Sequence, residues 1–205
     1  MATDAAIGAT SEAIRSLLER AAPESGIAPT PDAQHVTSSG LQTSVSEGTD
    51  VTVGVYLNRV VVSATRINPG PRTRPDGTRV RPGIPLDLHY LIIPRASDPV
   101  MQQLVLGWAV RVLDETPEIP ASILNSYQHG ATVFDPDESV ELVWQVLTQQ
   151  DLFDIWEVAR SNQQPSAAYV ARAVMIDSKL PLDEHPLVQT RRFGYSGVAG
   201  PGGAA

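Results

Sequence analysis

Apolar residues at helical spacing open the chain: Ile7, Ile14, Leu17 and Leu18 recur, with Glu12, Arg15, Ser16 and Glu19 on the other side. This predicts a helix over residues 5–20, stopped by Pro23 and Gly26. Residues 22–50 are rich in Pro, Ser, Thr, Gly and Asp, so a loop is expected, with one or two short edge strands near 34–37 and 41–45. The period then changes to two. Val51, Val53, Val55 and Leu57 alternate with Thr52, Tyr56 and Asn58, a strand expected to end near Ser63. Residues 68–85 are a long Arg/Pro/Gly connection with Pro75-Asp76-Gly77 as the turn at its tip. A second strand covers 86–93, with Leu86, Leu88, Tyr90 and Ile92 on one face and Pro94 as its stop.

The next helix carries the clearest start signal. Asp98 can accept the free N–H groups of the first turn, and Pro99 sits where its missing N–H is harmless. Met101, Leu104, Val105, Trp108, Ala109 and Val112 form the expected core stripe. Leu106, Val110 and Leu113 make a second apolar line, to be covered by loops or by a neighbouring subunit. After Asp135-Pro136-Asp137 a strand is expected over 140–148, with Val140, Leu142, Trp144 and Val146 on one face. Thr148 and Asp151 resemble a capping pair for a short helix through Leu152, Ile155, Trp156 and Ala159. Residues 167–177 are apolar on both faces except at Arg172, as in a strand at the centre of a sheet. Helix, strands, helix, strand, helix, strand gives an α+β domain: a mostly antiparallel or mixed sheet with helices packed on it. The domain spans 1–178, including the loops 22–50 and 66–85, and a partly flexible C-terminal arm spans 179–205.

The chain has 205 residues, enough for one domain with a real core. It has no cysteine, which removes disulfides, thiolate nucleophiles and Cys-based metal sites and fits a reducing cytoplasm. No apolar run approaches the ~20 residues of a membrane helix, and the N-terminus lacks the basic cluster of a signal peptide. A soluble protein of the cytoplasm, without membrane contact, is expected.

The net charge of −8 is unevenly placed. Arg59, Arg66, Arg72, Arg74, Arg79 and Arg81 are offset within their stretch by Asp76 alone, so the remaining chain carries −13. So acidic a body argues against nucleic acid as a partner, because phosphate neutralisation needs a basic face. One basic loop on an acidic body suits docking onto an acidic protein surface, or simply a solvated loop.

Candidate chemistry is sparse. Asp87 and His89 lie two apart in a strand and share a face, as an acid/base or metal pair would. A metal needs further ligands, and His35, His129 and His185 all fall in irregular segments, so a polar pair closing hydrogen bonds at the sheet or a subunit contact is the favoured role. Asp183-Glu184-His185 reads as a surface cluster beside Pro186. Neither Gly-x-Ser-x-Gly, a phosphate-cradling glycine loop nor His-Glu-x-x-His occurs. Trp108, Trp144 and Trp156 each sit on an apolar stripe and are expected in the core. Phe193 and Tyr195, beside Arg191 and Arg192, have no obvious core to enter and suit anchoring to a partner, as does Leu187.

Four stretches together resemble a known family: Val55-Tyr56-Leu57-Asn58-Arg59-Val60; Leu86-Asp87-Leu88-His89-Tyr90-Leu91-Ile92-Ile93 with Asp98-Pro99 and Met101 to Trp108; Val140-Glu141-Leu142; and Trp156 leading to Ala168-Tyr169-Val170-Ala171-Arg172-Ala173-Val174-Met175-Ile176-Asp177-Ser178. The resemblance is to the tail-cap, or tail-terminator, proteins of contractile injection systems, and it covers roughly residues 6–178. It implies a phage tail-terminator-like fold and a structural part without catalysis or cofactor. That part would be a hexameric ring terminating the inner tube and contractile sheath at the end distal to the baseplate, assembled in the cytoplasm in a particle that can be released. Its partners would be further copies of itself, the tube protein and the sheath protein. The expected contacts are Arg66, Arg72, Arg74, Arg79 and Arg81 in the basic loop, Leu106, Val110 and Leu113 on the helix, and Leu187, Phe193 and Tyr195 in the arm. The residue pattern alone leaves open a small ligand-binding or enzymatic α+β domain.

Overall fold

The computed structural model describes residues 4–42, 50–64, 70–73, 77–126, 132–158 and 163–182. Six strands form one mixed sheet: β1 (Asp32–His35), β2 (Thr52–Val62), β5 (Ile84–Arg95), β8 (Ala167–Ile176), β7 (Ser139–Trp144) and β6 (Glu118–Pro120), in that spatial order. Only β1 against β2 is parallel. Strands β3 (Arg72–Thr73) and β4 (Arg79–Val80) make a separate hairpin. One face of the sheet carries α1 (Ala6–Ala21), α2 (Pro99–Asp114) and α3 (Ala121–Leu124); α4 (Gln149–Val158) lies on the other.

The period-two pattern places the core. Val53 and Val55 of β2, Leu88, Tyr90 and Ile92 of β5, and Tyr169 and Ala171 of β8 face the three helices. Ala6, Ala9 and Ala13 line the inner side of α1 beside Ile14 and Leu18, while Ile7 and Leu17 are only partly buried. The true stripe is therefore rotated from the expected one, because small side chains let the helix approach the sheet closely. On the opposite face Leu91, Ile93 and Ala168 pack with Leu41 and Trp156. The residues of β8 are buried on both faces over much of its length, and it is the fourth of the six strands.

The helix start is as the residues dictate: Asp98 Oδ2 accepts from the Met101 N–H at 2.8 Å, with Pro99 leading the helix. Thr148 and Asp151 cap α4 reciprocally, the Asp151 N–H donating to Thr148 Oγ1 and the Thr148 N–H to Asp151 Oδ2, both 3.1 Å.

Some expectations are corrected. Pro94 does not stop β5, which runs on to Arg95. Its pairing with β8 ends at Ile92, so beyond that residue β5 has a neighbour only on the β2 side, and the missing N–H of Pro94 disrupts no ladder. Leu104 is exposed, not in the core. Trp144 is half-exposed, its ring edge-on to Tyr169 with centroids 5.3 Å apart, and Val146 lies beyond the end of β7 in solvent.

Candidate docking surface

The basic loop is built as a hairpin with a tether. Arg72 pairs with Val80 and Thr73 with Arg79, and Gly77 between them has φ +84°, a conformation open to glycine. Val80 is fully buried and anchors the hairpin. The chain after β8 then crosses it: the Arg81 N–H donates to Leu180 O at 3.0 Å and the Leu182 N–H to Arg79 O at 2.8 Å. Gly83 lets the link from β4 into β5 press against β8, since a Cβ there would lie 2.7 Å from the Ile176 carbonyl oxygen.

Within this unit the arginines divide. Arg72 is engaged within the chain: its guanidinium donates to both oxygens of Asp177, at 3.1 and 3.0 Å, and to Glu138 Oε1 at 2.9 Å. Burial works against the Arg72 cation, but the hydrogen bonds to Glu138 and Asp177 outweigh it and raise its pKa. Arg79 on β4 and Arg81 just after it are exposed. Arg66 and Arg74 lie outside the described residues, as do the arm positions Leu187, Phe193 and Tyr195. The first residues of the arm are not irregular: 179–182 are held to β4.

The second apolar line of α2 is largely absorbed by the chain itself. Leu113 is fully buried, and Leu106 and Val110 are half-buried against the same core. Leu113 thus lies in the core of the chain itself and not on its surface. The Tyr169 hydroxyl donates to the Val110 carbonyl at 3.4 Å. Burial, and then the Asp114 carboxylate, pushes that phenol up to about 12, so it stays a neutral donor. The outer side of α2 instead presents Val100 and Leu104.

Asp87 and His89 are engaged separately. Between Leu86 and Leu88 the register of β5 with β8 slips by one residue, and there Ala173 has φ +52°, rare for a residue with a Cβ. Asp87 Oδ1 accepts from the Ala173 N–H at 2.9 Å and satisfies the amide that the bulge turns out of the ladder. His89 Nδ1 lies 2.8 Å from Gln145 Oε1. Asn58, Arg59, Asp151 and Asp154 join His89 and Gln145 around a cleft of about 290 Å³ beside β2. Among the described residues no group of three or more His, Asp or Glu is placed to hold a metal.

Sequence reasoning passed over the outer edge of β2. β1 covers it only as far as Val55, whose carbonyl accepts from the Val36 N–H at 3.0 Å. Beyond that, Val60 is 42% exposed and Val62 68%, with Ile84 of β5 exposed nearby. The signal was there: Val60-Val61-Val62 breaks the alternation that the strand otherwise keeps.

Residues 9–190 match the family described as the Pvc16 N-terminal domain. Two solved structures share the fold. The sheath/tube terminator of an extracellular contractile injection system, PVC, in its extended state, has a TM-score of 0.56 at 14% identity over 97% of this chain. The tube-terminating cap of the anti-feeding prophage has a TM-score of 0.52 at 15% identity over 91% of this chain. The chain spans 66% of the first and 60% of the second. No curated protein matches it.

Proposed function

The chain belongs to the Pvc16 N-terminal domain family, and from that premise we propose that it is a structural terminator of a phage-tail-like contractile injection particle. It caps the inner tube and the sheath as a homo-oligomeric ring, a hexamer, at the end distal to the baseplate, and it does no chemistry. The observation that carries this reading is the family match over residues 9–190, supported by the shared fold of two proteins named for terminating tubes or sheaths.

The physics of termination suits the surfaces. Rings of tube and sheath grow by stacking identical interfaces, so a terminator must match one face and withhold the next. The exposed Arg79 and Arg81 on an otherwise acidic molecule would steer it onto an acidic rim and fix its register. No helix among the described residues is long and apolar enough to cross a membrane. The test is to delete the gene in a particle-producing cell and image the particles. Tubes and sheaths of irregular length, restored to uniform length by the gene supplied in trans, are expected. Particles of uniform length with intact ends would overturn the proposal.

A further inference from the structure

The outer edge of β2 is built to accept a strand. The Ser63 N–H donates to Pro85 O at 2.9 Å, and the register from Arg59 to Val62 is unbroken, so Val61 turns its polar groups toward β5 and Val60 and Val62 turn theirs outward. No backbone partner meets that edge beyond Val55 among the described residues. An open edge carrying exposed valines is a template for pairing with another chain, which monomeric proteins avoid.

The arm points to an occupant. Residues 180–182 run antiparallel to β4, from Arg81 toward Arg79 and the Gly77 turn, so at Leu182 the chain runs opposite to the direction that leads into β5. Twenty-three residues follow, 183–205, and within them 187–195 hold Leu187, Val188, Thr190, Phe193 and Tyr195, a composition suited to a strand. Extended, 183–195 reach about 43 Å at ~3.3 Å per residue, against a radius of gyration of about 17 Å for a domain of this length. The arm also carries Arg191 and Arg192, and the cleft beside β2 is lined by the carboxylates of Asp151 and Asp154. Two β2 edges pairing with each other would instead bring Arg59 toward its counterpart and close a two-fold dimer.

We propose that residues 187–195 of one copy add as a strand to the β2 edge at Val60 and Val62 of the next copy. Repeated around an axis, this head-to-tail contact closes a ring, and it rests on the ring assembly proposed above. Because the chain has no cysteine, introduced ones report the contact without interference. Full-length Val62→Cys protein is mixed with full-length chains carrying Val188→Cys, Thr190→Cys or Phe193→Cys, each pair distinguished by a tag, and oxidised. At least one arm position should cross-link to Val62→Cys about five-fold or more above a Val100→Cys control on α2. Val60→Pro, which removes an outward N–H and leaves the β5 ladder intact, should abolish the cross-link, and Val62→Lys tested by light scattering should lower the assembled mass.

Cross-linking no better than the control overturns the proposal. So does a disulfide formed only within one chain when both cysteines are placed in it. If that result comes with particles of normal, gene-dependent length, the terminator function stands and only the strand contact falls.

Discussion

Glu12 shows how a single side chain fixes an edge. Its carboxylate receives two hydrogen bonds from Arg15, at 2.6 and 3.0 Å, and one contact from His35 Nε2 at 2.8 Å, while Arg15 also reaches the Ala33 carbonyl at 3.4 Å. The cluster ties α1 to β1, the strand that covers the first part of the β2 edge. The Arg15 hydrogen bond, opposed by burial and helped by His35, draws the Glu12 pKa down to about 2. A depressed carboxylate adds stability above its unfolded pKa and loses it as pH falls toward the folded one. Wild type should therefore lose stability relative to Glu12→Gln between about pH 4.5 and pH 2. The loss should be on the order of 1 kcal/mol, below the full linkage value because solvent screens a partly exposed cluster. Urea midpoints of the two proteins across that range check it; parallel curves would mean the cluster contributes nothing to folding. Asp87 is likewise fixed by one neighbour, its role set by the bulge amide of Ala173 and not by His89.

At the scale of elements, the hairpin of β3 and β4 depends on Arg72. Removing its side chain strips the partner from Asp177, whose carboxylate is 6% exposed, and from one oxygen of Glu138. Arg72→Ala should cost about 1–2 kcal/mol and expose the hairpin to protease. Chemical denaturation and limited proteolysis check it; wild-type stability and protection in the variant would mean that the pairing does not hold the hairpin. The sequence could not separate these arginines, because the pairing joins residues 105 apart in the chain. What depended on local pattern was legible: the Asp98-Pro99 start of α2, the Thr148 and Asp151 cap, and the inward faces of β2 and β5. What depended on distant neighbours was not. Leu113 is a core residue, packed with side chains from all over the chain, and Trp144 is half-exposed at the end of β7. Strands β3, β4 and β6 are only two or three residues long, too short for a period to show.

On the scale of the whole molecule, charge is unevenly divided along the chain. The chain carries −8 in total, yet the stretch from Arg59 to Arg81 is basic, and each copy in a ring would repeat that contrast around the axis. Attraction between such a rim and an acidic ring beneath it acts over about 10 Å at 0.1 M salt and about 3 Å at 1 M. Docking through the hairpin should then weaken steeply with added salt, while strand addition at the β2 edge, made of backbone bonds and apolar contact, should change little. Reversing Arg79 and Arg81 to glutamate leaves the Arg72 tether in place, and in a double variant whose fold circular dichroism shows to be intact, attachment to tube or sheath should fall several-fold. Co-purification of tube and sheath with the tagged wild type and the double variant, washed from 0.05 to 0.5 M salt, measures both. Equal retention of the two proteins at every salt concentration would mean that the charge of Arg79 and Arg81 does not hold this chain to the tube or sheath, and would turn attention to the apolar surfaces of β2 and α2.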